Sequence, residues 1–147
     1  MKLRLATLAL CAVATTAATS TAFAQQGPKP EDQIRYRQSI MNVMGRQFAM
    51  PYNKDAAVKA AGLVDTLSTL PGPLFGPGLD KGAPTKASEK VWSEPEKFKA
   101  AYEKMQAEVK KLPAAAGDLA TLKAAAGEVG KTCKGCHDDY REKEFRN

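Results

Sequence analysis

Cys133, Lys134, Gly135, Cys136 and His137 form a C-x-x-C-H run, and one chemistry uses all three of its reactive side chains. Cysteines at i and i+3 leave the same side of a helix, so each can add to one of the two vinyl groups along a porphyrin edge. The neighbouring imidazole then reaches the iron from one face. The pattern predicts a single covalently attached c-type heme, with Cys133 and Cys136 as its links and His137 as an axial iron ligand. Rival readings leave residues idle. A structural zinc needs about four Cys or His ligands, and past Cys11 the chain has two cysteines and one histidine. A thioredoxin-type redox pair belongs to a βαβ unit, which the helical patterning below denies. A disulfide at this spacing would constrain little and leave His137 without a role.

His137 is the only histidine of the 147 residues, so one chain cannot supply two imidazoles to the iron. The second axial position falls to methionine, lysine, water or nothing. Downstream of the first 24 residues the methionines are Met41, Met44, Met50 and Met105, all ahead of the motif, and ten residues follow His137. That order excludes the small electron carriers whose motif lies near the N-terminus with a ligand methionine far downstream.

The chain opens as an export signal. Lys2 and Arg4 precede an apolar run from Leu5 to Val13, and Ala22-Phe23-Ala24 has the form of a cleavage site. Residues 1–24 are therefore read as a secretory signal cleaved after Ala24, and 25–147 as one domain in the periplasm, where cytochrome maturation takes place. Lipid attachment at Cys11 is disfavoured by the bulky Leu10 before it. No later stretch approaches the roughly 20 apolar residues of a membrane span, so no stable membrane anchor is expected. Residues 25–147 hold 20 Lys and Arg against 16 Asp and Glu, a charge of +4. The lysines are scattered, without the basic block of a nucleic-acid binder.

Four helices position the motif. Ile34, Met41, Met44 and Phe48 share one face of a first helix that starts at Glu31 and ends before Pro51. Asn53 or Asp55 can cap a second, with Ala57, Ala60, Val64 and Leu67 as its apolar stripe. Four prolines and four glycines between Leu70 and Trp92 make one long crossover. Ser93 and Glu96 have the spacing of a capping box for a third helix, striped by Phe98, Tyr102, Met105, Val109 and Leu112. Asp118 can cap the fourth, whose stripe of Leu119, Leu122, Ala126, Val129, Cys133, Cys136 and Tyr140 aims the cysteines at the core. The expectation is an all-α antiparallel four-helix bundle with a Pro/Gly-rich crossover between its second and third helices.

With these features the chain resembles the class II c-type cytochromes, most closely cytochrome c′. The likeness rests on Tyr36 to Met41, Leu70-Pro71, Phe75 to Gly78, Val91-Trp92-Ser93 and Cys133 to Arg141. It implies a homodimer through the first two helices and five-coordinate iron with an apolar side chain over its open face. Residue by residue, it puts Met41 at that blocking position, Arg37 beside the heme propionates with Gln38 next to it, and Arg141 near the histidine side. It also brings the crossover around Thr85 near the heme. Arg37 and Met41, at i and i+4, can present a cation and a thioether from one helix face.

An apolar pocket over vacant iron admits small uncharged molecules, because a polar ligand would be desolvated without partners. NO and CO fit; dioxygen, which gains from a hydrogen-bond donor, fits less well. The function implied is gas binding, with electron transfer to a redox partner protein as a second role. The alternative is a low-spin carrier in which Met41 itself ligates the iron. An enzyme such as a peroxidase is not expected, because the chain offers no distal histidine and no evident acid-base pair near the iron.

Overall fold

Apolar side chains that recur every three or four residues produce helices wherever the sequence shows them. The structure, a computed structural model, describes residues 27–49 and 53–146; the signal, its cleavage site and Met50 lie outside the described residues. Helix α1 spans Pro30–Ala49, α2 Lys54–Ser68, α3 Lys90–Ser93, α4 Pro95–Val109, α5 Leu112–Ala115 and α6 Leu119–Tyr140. The four long ones make the bundle, with α4 against α6 and α1 against α2. Met44, Ala61, Val64, Tyr102, Met105, Val109, Leu122 and Val129 meet in one buried cluster. No helix among the described residues is long and apolar enough to cross a membrane.

Two of the expected caps form. The Asn53 side chain accepts from the Ala56 amide at 2.9 Å, and Asp118 accepts from the Thr121 amide at 2.8 Å. Asn53→Ala is expected to lower stability by about 1 kcal/mol, read as a reduced urea midpoint. The Ser93–Glu96 capping box does not form. Ser93 ends the short α3, and α4 starts after Glu94 without a side-chain cap, with Pro95 in its first turn. Leu112, expected to end the third helix, instead opens α5.

The crossover is more ordered than its prolines and glycines imply. A 3-10 turn at Gly72–Phe75 leads to a short strand, β1 (Thr85–Ala87), which pairs antiparallel with β2 (Arg141–Arg146). Gly82, at φ +108°, takes a backbone conformation that side chains disfavour, close against Pro30 and Glu31 at the start of α1. Aromatic rings then fix the crossover to the bundle. Phe98 lies 4.8 Å from Phe75 and 5.2 Å from Tyr140, each edge to face, and the Trp92 indole donates to the Gly76 carbonyl at 3.0 Å.

Candidate heme site

The attachment motif occupies the last two turns of α6. Cys133 and Cys136 are free and half-buried, Cys133 packs against the core cluster, and His137 is exposed. Burial raises both thiols, Cys136 to about 11 with help from Cys133 and Asp139. Protonated, inert thiols are the reverse of a redox dithiol, which works through a depressed pKa. Although His137 as a residue is exposed, partial desolvation of its ring and then the charge of Arg141 hold the imidazole below its ordinary value, which favours the neutral form that ligates metals. Among the described residues, no group of three or more His, Cys, Asp or Glu could hold a bare ion. Arg141 is exposed one turn beyond His137, and its amide donates to the His137 carbonyl.

Helix α1 brings the opposite set together. Met41 is half-buried and packs on the same cluster as Cys133, while Met44 and Met105 are inside it. Arg37, one turn before Met41, is 2 % exposed. Its Nη1 donates to the Leu74 carbonyl at 2.6 Å and the Leu79 carbonyl at 3.2 Å, and its Nη2 to Thr85 Oγ1 at 3.1 Å. Phe75 and Trp92 flank the guanidinium at 4.5 and 5.8 Å. Gln38 Nε2 donates to the Pro84 carbonyl at 2.7 Å, so neighbouring side chains of α1 hold the crossover at Pro84 and, through Arg37, at the buried Thr85.

That arrangement tests the fit of a heme. All three acceptors on Arg37 are neutral oxygens, and burial pushes its pKa down to about 10. A buried cation without an anion is strongly unfavourable, and a heme propionate is an anion of the required kind. The residues present therefore fit the group. Sequence reasoning missed Phe75, Trp92 and the Leu74 and Leu79 carbonyls as the surround of Arg37; the aromatic residues inside a Pro/Gly-rich segment were the available signal. An apolar cavity of about 370 Å³ lies elsewhere, lined by Phe48, Ala57, Val64, Leu112, Leu122 and Ala126, toward the other end of α6 from the motif.

A family profile described as cytochrome c′ matches residues 32–141, a span that contains every site residue named above. Cytochrome c′ of Rubrivivax gelatinosus is 50% identical over 129 residues, covering 80% of this chain and all of the relative. This chain belongs to the cytochrome c′ family. The crystal structure of the Rubrivivax cytochrome c′ superposes with a TM-score of 0.74 at 46% identity, over 78% of this chain and 98% of that one. A nitric oxide complex of a variant cytochrome c′ from Alcaligenes xylosoxidans gives 0.71 at 39% identity, over 79% and 98%. A carbon-monoxide-bound variant of that protein gives 0.70 at 40%, over 78% and 98%. The helical bundle is thus the family fold, and the cofactor of a cytochrome c′ is heme c, bound covalently through cysteines.

Proposed function

We propose that this chain is an exported cytochrome c′ that captures NO and CO at five-coordinate iron. Cys133 and Cys136 form the thioether links, His137 is the axial ligand, Arg37 neutralises a propionate and Met41 covers the open face. The bound heme supplies a metal that gaseous ligands can reach. The chain supplies selectivity. Met41 offers no hydrogen-bond donor, and the Arg37 guanidinium already donates to Leu74, Leu79 and Thr85. The half-buried Met41 thioether, which has no donor of its own, is the observation that carries the reading, because it leaves bound dioxygen unassisted while NO and CO need no such help. The gas complexes of the Alcaligenes relative support it.

The second reading makes Met41 the sixth ligand of an electron carrier, and the half-burial of Met41 against the cluster on which Cys133 also packs is compatible with it. An optical spectrum of the oxidised protein separates the two. Five-coordination predicts no Met-to-iron charge-transfer band; its presence would make the protein a carrier.

The dimer reading has its own support. Tyr36 and Val43 on α1, with Val58 and Leu63 on α2, are large apolar side chains 40–54 % exposed, a surface suited to a second copy. A Tyr36→Glu, Leu63→Glu double variant is expected to sediment as a monomer with an unchanged heme spectrum. Wild-type sedimentation of that variant would reject the interface. A signal in residues 1–24 places the mature chain in the periplasm, where it can also exchange electrons with a partner protein.

A further inference from the structure

Thr85 lies where two halves of the heme site join. Its hydroxyl oxygen accepts from the Ala87 amide at 3.1 Å and from Arg37 Nη2 at 3.1 Å. The first bond is an ordinary local turn for threonine. The second is to a buried cation on another element, and charge-assisted bonds of this kind are the strong ones. Thr85 also begins β1, and β1 is tied to the far end of α6. Ser88 donates to the Tyr140 carbonyl at 2.9 Å, Arg146 Nη1 to the Ala87 carbonyl at 2.8 Å, and Arg146 Nη2 to Glu89 at 2.8 Å. β2 starts at Arg141, whose amide holds the His137 carbonyl.

We infer that Thr85 is a positioning residue for both faces of the heme: its hydroxyl couples the α1 turn carrying Arg37 and Met41 to the strand pair that fixes the α6 end carrying His137. The path runs from Arg37 to Thr85, along β1, across to β2 and back to the His137 carbonyl. It is a strap around the outside of the site, separate from the packed core between Met41 and Cys133. The inference rests on His137 being the axial ligand.

The test is made on mature holoprotein with Thr85→Val and Thr85→Ser. Valine keeps the shape and removes the acceptor; serine keeps the acceptor. Two readouts are followed: amide exchange at Ser88 and Arg141, and the hyperfine-shifted ring resonances of His137 in the ferric protein. T85V is expected to speed exchange by about tenfold or more, the size of one lost bond to a charged group, and to move the His137 resonances. T85S should leave both near wild type. Faster exchange in T85V with unmoved His137 resonances would reduce Thr85 to a local staple and overturn the inference. If T85V does not fold, Arg146→Lys loosens the strap from its other end with the charge kept. It should move the same resonances by less, and wild-type behaviour in both readouts would overturn the coupling. If the wild-type protein shows no shifted His137 resonances, the ligand assignment falls, and the exchange rates alone then decide the strap.

Discussion

A Cys133→Ser, Cys136→Ser double variant, exported alongside a competent maturation system, is expected to contain no covalently bound heme. The wild-type protein should keep its pigment through extraction with acidified organic solvent, whereas the variant should release all of it or be purified colourless. Single replacements should each keep one link and remain coloured. The geometry behind this is local. The two thiols lie one turn apart on the half-buried side of α6, and no other cysteine stands in the described chain. The fold should also weaken. Without a propionate, Arg37 stays buried against neutral oxygens and two aromatic rings with no anion, and a buried charge that loses its counter-ion costs up to about 3–5 kcal/mol. Thermal unfolding of the double variant should therefore begin well below that of the holoprotein. Pigment that resists extraction from the double variant would overturn the thioether assignment.

The second large effect is kinetic. Met41→Ala is expected to speed CO association by about threefold to tenfold, because shifting a half-buried side chain of this size opposes ligand entry by about half of the 1.5–3 kcal/mol of full burial and each 1.36 kcal/mol is about tenfold in rate. Stopped-flow mixing of ferrous protein with CO measures it directly. Met41 is the side chain to remove because Met44 and Met105 belong to the interior of the cluster, where truncation would leave a cavity. Unchanged association in Met41→Ala would deny it a gating role. A charge-transfer band that Met41→Ala abolishes would instead identify it as a ligand.

The helices were legible because their stripes are long and regular, and Asn53 and Asp118 were legible as caps because each sits one residue ahead of its helix. The motif was legible because a heme needs its three side chains contiguous in sequence. Other features were hidden by the same logic. The stripe of the first helix skips from Ile34 to Met41, and the buried positions between them are Arg37 and Ile40, the first of them charged. A charged residue reads as surface from periodicity, and only its surround of carbonyls and rings, drawn from 37 to 55 residues away, makes it an interior one. The strand pair is non-local as well. Arg141 to Arg146 is a charged string with little apolar alternation, and its partner lies more than fifty residues earlier. Leu119 shows the opposite failure: it fits the stripe of the fourth helix yet is 56 % exposed, because it sits in the first turn of α6, at the end of the bundle.

The interior cation has a consequence for the life of the protein in the cell. On the proposed pairing of Arg37 with a propionate, a guanidinium that lacks an anion until the cofactor arrives makes durability conditional on loading, since whatever binds only the folded form adds to its stability. Chains that miss ligation should open more often and be cleared by resident proteases, while loaded ones persist. Arg37 thus acts as a checkpoint on quality, written into the chain by one charge in the wrong place for an empty protein.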